Sequence, residues 1–507
     1  NDKSKQGPGG GPYTNEAAGG ENYNTLMYLA ESPHEKGVLW TGSDDGLIHV
    51  TKDGGQNWEN VTPPNLVEGI VNSIEVSPHD PATAYTVVMR YKQMDLKPYI
   101  FKTSDYGETW SKITNGITGE HTFVRVVRED PKRKGLLYAG TETGLFISLD
   151  DGQNWQPFQL NLPVVPINDL KFQNNDLVAA TAGRSFWVLD DVGAIQNLGN
   201  PRKTIEIFKP KNTYLFFGGS TDKPVPGLGQ NPKSGVTMDY YIGKDADSLD
   251  LKLEVLKGSL VIRSYSNKKD DKFKSWPGGP SKPKTIPSKK GYNRFTWDFR
   301  RESLPAVEKV FTYGSYYGSR VGPGSYKLRL TIEGETSETE VTVLPNPNIE
   351  GSAADYSEQQ QLLRQVEGAI TNIHESVSQM RSAKTQLKGY EKLLKDNENA
   401  KDLLEKGKAL IERINTWEEN LIQPKQKTFQ DVINYHNQLN AEFMELKDYV
   451  DVAEPKVTQG AKERLSDLLG QWKKFATERD AIVNTEMSAY NEMYKELGLP
   501  ALILSER

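Results

Sequence analysis

Cysteine is absent from this 507-residue chain. Its absence excludes disulfides, thiolate metal sites and a cysteine nucleophile, and leaves the compartment open. Apolar runs long enough to span a bilayer are also missing, so no transmembrane segment is expected. No signal peptide is expected within the sequence, which starts at Asn1 without a Met. Two readings of that start stand: a truncated start of no significance, or a processed mature chain or fragment of a longer one. Excess positive charge is lacking, with 62 Lys and Arg against 68 Asp and Glu. A net charge of −6 argues against a general nucleic-acid binder. His34, His49, His79 and His121 are scattered, with no HExxH or other ligand spacing, so no metal is expected. No Gly-x-Ser-x-Gly elbow or Walker loop occurs, and Gly7 to Gly11 lacks the Lys-Ser/Thr pair of a phosphate loop. No cofactor is expected.

What the chain does contain is a repeat. Thr51-Lys52-Asp53-Gly54-Gly55-Gln56-Asn57-Trp58, Thr103-Ser104-Asp105-Tyr106-Gly107-Glu108-Thr109-Trp110 and Ser148-Leu149-Asp150-Asp151-Gly152-Gln153-Asn154-Trp155 share Ser/Thr-x-Asp-x-Gly-x-x-Trp. The hydroxyl and the Asp are suited to bond local backbone N–H groups and hold a tight turn. The Gly permits a backbone shape that other residues resist. The Trp supplies a large apolar plug between neighbouring sheets. The pattern resembles the Asp-box of sialidase-like and sortilin-like β-propellers. Its Asp residues are 52 and 45 positions apart, a spacing that fits one four-stranded blade per repeat.

The organisation reads as multidomain, mainly β and then α. Residues 1–22 form a Gly-rich loop. Residues 23–199 hold about four Asp-box propeller blades, with strands expected at 26–30, 38–41 and 47–50, then 71–76, 84–89 and 99–102. Further strands are expected at 123–127, 136–139 and 145–147, and a degenerate fourth unit at 169–191 lacks the box. Four blades are few for a closed propeller, so this segment is expected to be half of one. The other, N-terminal half would come from the same precursor or from a separate partner chain. Residues 205–345 read as an immunoglobulin-like β-sandwich, with a basic, Pro-rich exposed loop at 268–290. Residues 352–507 read as an antiparallel bundle of four helices of about 25–40 residues each. Its breaks are expected near Asp396-Asn397, Gln423-Pro424 and Glu454-Pro455.

These boxes, the Gly183-Arg184-Ser185-Phe186-Trp187-Val188-Leu189-Asp190-Asp191 run, the sandwich and the helical tail, in that order, resemble one family. It is the large secreted bacterial Asp-box proteins with sortilin-like propellers, often labelled glycosyl hydrolases. Thr14-Asn15-Glu16, Tyr23 and Trp40-Thr41-Gly42-Ser43-Asp44-Asp45-Gly46-Leu47 are similar to an internal stretch of such proteins. The resemblance implies an exported protein in the periplasm, on the cell surface or outside the cell. Family members run to about twice this length.

In the boxes, Asp53, Asp105 and Asp150 with Trp58, Trp110 and Trp155 are expected to be structural. The opposite blade face carries the chemical candidates. Asp44, Asp45 and Glu142 are candidate catalytic carboxylates, because two carboxylates across a pocket perform glycoside chemistry. The plainer alternative is that turns favour polar residues. Arg184, Arg90, Tyr91 and Tyr13 are candidate ligand-binding residues. A sialidase site has Arg90, Arg125 and Arg184 available, but no motif joins them. Two functions follow: a binding or scaffold protein with a glycan or protein ligand on the propeller face, which is favoured, and a glycoside hydrolase whose site is completed by missing blades.

Overall fold

A computed structural model describes residues 23–199, 204–217, 231–244 and 248–499, with Ser4, Gly229 and Ala246. Tyr13 and the expected loop at 1–22, Ser4 aside, lie outside the described residues. The chain divides into two compact units, Asn1–Asn200 and Pro201–Arg507.

The first unit is a series of antiparallel sheets laid down in chain order. Sheet 1 contains β1 (Leu26–Glu31), β2 (Leu39–Ser43), β3 (Ile48–Thr51) and β4 (Glu59–Asn60). Sheet 2 contains β5 (Ile70–Val76), β6 (Ala84–Met89), β7 (Ile100–Thr103) and β8 (Ser111–Lys112). Sheet 3 contains β9 (Val124–Glu129), β10 (Leu137–Thr141), β11 (Gly144–Ser148) and β12 (Gln156–Pro157). Sheet 4 has only β13 (Ile167–Gln173), β14 (Asp176–Thr181) and β15 (Phe186–Leu189), followed by the short helix α1 (Gly193–Gln196). The missing fourth strand has a local cause. In sheets 1–3 a two-residue strand begins directly after the box Trp, and sheet 4 has no box.

Apolar side chains on facing sheets form successive cores. Trp40, Ile48 and Val50 of sheet 1 meet Val71, Ile74 and Val88 of sheet 2. Tyr85, Val87 and Ile100 meet Val124, Val127 and Leu137. Val126, Tyr138 and Ile147 meet Leu170, Leu177 and Ala179.

The second unit begins with two sheets around a shared core. One contains β16 (Ile205–Ile207), β18 (Val236–Ile242) and β21 (Gly291–Trp297). The other orders β17 (Thr213–Tyr214), β23 (Glu335–Leu344), β22 (Gly324–Ile332), β19 (Leu251–Lys257) and β20 (Leu260–Ser266). Strict alternation of buried residues along β18 places Val236, Met238, Tyr240 and Ile242 in that core with Leu253, Val255, Leu328 and Leu330.

Helices follow: α2 (Ala353–Leu394), α3 (Lys401–Glu419), α4 (Leu439–Val450), α5 (Gln459–Ala481) and α6 (Ser488–Glu496), the last two joined by a π-helical turn at Ile482–Met487. Helix α2 opens on a Ser352–Asp355 capping box, which satisfies two otherwise unpaired N–H groups. Its apolar stripe, Leu362, Val366, Ile370, Ile373, Val377 and Met380, is buried. The breaks fall where expected, but α3 has 19 residues and α4 only 12, shorter than the reading of 25–40. The cause lies between them. Leu421 and Ile422 turn into the core, Pro424 interrupts, and a 3-10 turn at Phe429–Ile433 leaves those two residues exposed.

The connection from β21 to β22 penetrates the helical layer. Leu304, Val307, Val310 and Tyr316 belong to the same core as the helices. The fully buried Lys447 donates to the carbonyls of Ser315 and Tyr317, at 2.5 and 2.8 Å. Asp451 accepts from the Arg320 N–H at 3.0 Å and pairs with Arg300 at 3.3 Å. Glu367 accepts from Arg301 and from the Ser319 N–H, both at 2.6 Å.

Candidate functional site

The three boxes repeat one hydrogen-bond plan. The hydroxyl of Thr51, Thr103 or Ser148 donates to the Asp two residues on, at 2.8, 2.7 and 2.8 Å. The same oxygen accepts from Gly55, Gly107 or Gly152 N–H. The Asp then accepts the N–H of Asn57, Thr109 or Asn154, and that residue's side chain bonds its second oxygen. Hydrogen bonds to the ionised form depress a carboxyl pKa. Those from Asn57 hold Asp53 at about 2, and those from Thr109 hold Asp105 at about 2. At Asp150 burial pushes upward, but the bonds from Asn154 and Ser148 win and the pKa is lowered. All three carboxylates are consumed in their own turns.

Each later box also clasps the sheet before it. Trp110 Nε1 donates to the Val61 carbonyl at 2.7 Å, and Trp155 Nε1 to that of Ile113 at 2.8 Å. Val61 and Ile113 directly follow β4 and β8. Gly107 and Gly152, at φ +93° and +83°, lie against the same two side chains, where a Cβ would come within 2.6 Å of Val61 and 2.5 Å of Ile113. A second link runs the other way. His34 Nε2 lies 3.0 Å from the Ser77 carbonyl, and His79 Nε2 lies 2.7 Å from that of Asp130. Ser32, Ser77 and Asp130 hold equivalent turns, each side chain accepting the N–H two residues on.

The loops between second and third strands gather at one end of sheets 1–3. Asp44 accepts from the Thr25 N–H at 2.8 Å, and burial raises its pKa. Asp45 accepts from the Ser43 hydroxyl. Arg90 pairs with Asp95 and donates to the Glu68 carbonyl at 3.0 Å. Tyr91 stacks on Phe123 with centroids 5.8 Å apart, and the Arg125 guanidinium lies 5.2 Å from the Phe123 ring. Arg125 in turn pairs with Glu142 at 2.6 Å. These contacts link Arg90, Tyr91 and Glu142 in one band. Arg184 sits in the corresponding loop of sheet 4, exposed, its guanidinium donating to the Gly183 carbonyl at 3.2 Å and its own carbonyl accepting from Trp187 Nε1 at 2.9 Å.

A second cluster escaped sequence reasoning. On β9, Arg128 is buried and reaches all four sheets. It donates to Tyr28 at 3.0 Å, Ser73 at 2.9 Å, Asp169 at 2.7 Å and the Leu170 carbonyl at 2.9 Å, with Glu75 at 3.5 Å. Burial pushes the Glu75 carboxyl up to about 7, against the opposing pull of Arg128. The signal in the sequence is faint, since Arg128 is one of three charged residues in the strand Val124–Glu129.

Among the described residues no group of three or more potential metal ligands occurs, and no helix is long and apolar enough to cross a membrane.

No family model matches the chain. Two forms of xyloglucanase Xgh74A from Acetivibrio thermocellus are similar to it, 32% and 28% identical over 232 residues. Each match covers 39% of this chain and 27% of the relative, so the chain spans about a quarter of the length of these relatives. Solved structures of YCF48 bound to D1 peptide and of YCF48 from Cyanidioschyzon merolae are 20% and 16% identical. They cover 33% and 43% of this chain, and 51% and 67% of their own, at TM-scores of 0.26 and 0.27.

Proposed function

We propose that the protein is an exported, propeller-type binding or scaffold component that takes a glycan or protein ligand on the loop face of sheets 1–3. In this reading sheets 1–4 are blades of a partial β-propeller with Asp-boxes on the rim. Residues 205–345 are an immunoglobulin-like sandwich, supported by the facing sheets and by the Tyr326 hydroxyl donating back to the Gly322 carbonyl at 2.6 Å. The observation that carries the reading is the state of the loop carboxylates. Asp44 is engaged by the Thr25 N–H ahead of β1, Asp45 by the Ser43 hydroxyl of its own turn and Glu142 by Arg125, whereas glycoside chemistry needs two carboxylates facing one bond. Beside them the exposed Tyr91 ring on Phe123 offers a flat aromatic ledge of the kind that stacks on sugars or apolar side chains.

The test is binding to an immobilised panel of glycans and peptides by the chain, by Tyr91→Ala and by Arg184→Ala. Ligand capture that Tyr91→Ala weakens at least about tenfold, some 1.4 kcal/mol, supports the face. Capture unaltered by either substitution places the ligand elsewhere.

A glycoside hydrolase completed by blades outside this chain is the second reading. It is favoured by the similarity to xyloglucanases and by Glu75, a carboxyl raised to about 7 that shares the Arg128 guanidinium with Asp169.

A further inference from the structure

In the second unit, the connection from β20 to β21 carries charge out of keeping with the chain. Residues 268–290 hold eight Lys and two Asp, with no Arg or Glu, whereas the whole chain has a net charge of −6. All eight Lys are exposed. Asp298 balances one of them, at 3.2 Å from Lys284. The loop is nevertheless tied down. Trp276 Nε1 donates to the Val310 carbonyl at 2.9 Å, and the Tyr317 hydroxyl donates to Ser281 at 2.9 Å. A Cβ at Gly278 would come within 2.3 Å of the Phe311 ring. Pro277, Pro280, Pro283 and Pro287 fix the backbone φ along the way.

Phe311 also meets Phe429, with centroids 6.1 Å apart, and Phe429 meets Tyr313 at 4.8 Å. One aromatic seam therefore joins the basic loop, the connection from β21 to β22 and the segment between α3 and α4. On the 3-10 turn of that last segment, Phe429 and Ile433 are 67% and 77% exposed. The turn is fixed by polar contacts. Thr428 and Asp431 form a capping box, and the buried Gln426 donates to the Tyr435 carbonyl at 2.6 Å and to Asn437 at 3.1 Å. Lys425 and Lys427 flank the turn and are exposed. Its one acid, Asp431, accepts the N–H groups of Lys427 and Thr428 at 2.6 and 2.9 Å. Apolar side chains held out in water beside clustered lysines mark a contact surface.

We propose that this surface docks on a bilayer bearing anionic headgroups, with Phe429 and Ile433 entering the headgroup boundary and the loop lysines lying over the charged surface. Charge complementarity sets the sign of the partner. The choice of cation sets its form. Arg offers a fork that grips one carboxylate or phosphate in two places, and neither 268–290 nor 423–436 contains an Arg. Lysines act as point charges, which suits a diffuse charged plane. Ile433 separates a bilayer from an acidic glycan or a nucleic acid, because it has neither a ring to stack on a sugar or base nor a hydrogen-bonding group. An exposed Phe and Ile with flanking Lys is the composition that lies in a membrane interface. The surface belongs to the second unit, and the inference does not depend on the ligand-binding face of sheets 1–3.

The test is cosedimentation of the full chain with vesicles of phosphatidylcholine alone and with about 30% phosphatidylglycerol added. Binding is expected to the anionic vesicles and to weaken severalfold between about 50 and about 300 mM salt. A lysine near such a surface is worth about fivefold, so Lys274→Glu combined with Lys282→Glu should weaken binding at least about tenfold. Ile433→Ser should weaken it severalfold. Phe429→Ser is the second apolar variant, and circular dichroism verifies that each variant is folded. Polygalacturonate, a soluble acidic glycan, should bind more weakly than the vesicles and be indifferent to Ile433→Ser. Absence of vesicle binding, or equal binding to the neutral vesicles, overturns the proposal. So does binding that the lysine pair does not alter, or that neither Ile433→Ser nor Phe429→Ser alters. Polygalacturonate bound as tightly as the vesicles, and weakened by the same substitutions, would give the surface to a glycan instead.

Discussion

At the residue scale the chain stores two opposite responses to pH. Asp53 and Asp105 are held near 2, below the unfolded carboxylate value of about 4, by hydrogen bonds from their own turns. A depressed pKa contributes stability that is present above the unfolded value and is lost as pH falls from about 4 through about 2. Acid titration followed by circular dichroism should show unfolding steepen in that window, and Asp105→Asn should flatten it. Glu75 acts in the other direction. The folded state keeps its proton up to about 7, so its contribution is full below the unfolded value and declines as pH rises through about 7. Urea unfolding at pH 5 and pH 8 should therefore show Glu75→Gln gaining on the native chain by roughly 1–3 kcal/mol at the higher pH.

At the element scale the boxes differ in worth although their sequences match. Trp155→Ala should cost about 3–5 kcal/mol, because it empties a buried site and strands the Ile113 carbonyl. Trp58→Ala should cost under about 1 kcal/mol, as for other exposed positions; denaturant midpoints of the two variants compare them directly. Gly107→Ala and Gly152→Ala should each cost at least about 1–3 kcal/mol, from positive φ and the clash with Val61 or Ile113. The strands of sheets 1–4 were legible because short apolar runs alternate with Gly, Pro and Asp turns, and each strand of sheets 1–3 found in the structure other than the two-residue ones lies within a residue or two of its expected span. The two-residue strands β4, β8 and β12 have no hydrophobic pattern of their own and each follows directly on a box Trp. Helices α3 and α4 were misjudged in length because Leu421, Ile422 and Ile433 continue an apolar rhythm through a non-helical segment. Candidate loop residues were legible as turn residues. Their partners were not, since Arg125 with Glu142, and Arg128 with Tyr28, Glu75 and Asp169, join strands far apart in sequence.

At the scale of the whole molecule, the two facing sheets and the helices keep separate apolar cores, tied together by the connection from β21 to β22. The excursion carrying Leu304, Val307, Val310 and Tyr316 packs among the helices, and Asp451 holds both Arg300 and Arg320. Calorimetry of the second unit should give one transition for sandwich and helices together. Asp451→Ala should lower it by about 3–5 kcal/mol, because two half-buried guanidinium groups lose their common partner. The proposed reading is a binding face, and it predicts that the carboxylates on that face do no catalysis. Release of reducing ends from xyloglucan and from a panel of other glucans, measured for the chain beside Glu142→Gln and Glu75→Gln, tests it most directly. The account predicts no release above that of the substituted chains. Turnover by the native chain that either substitution abolishes would contradict it.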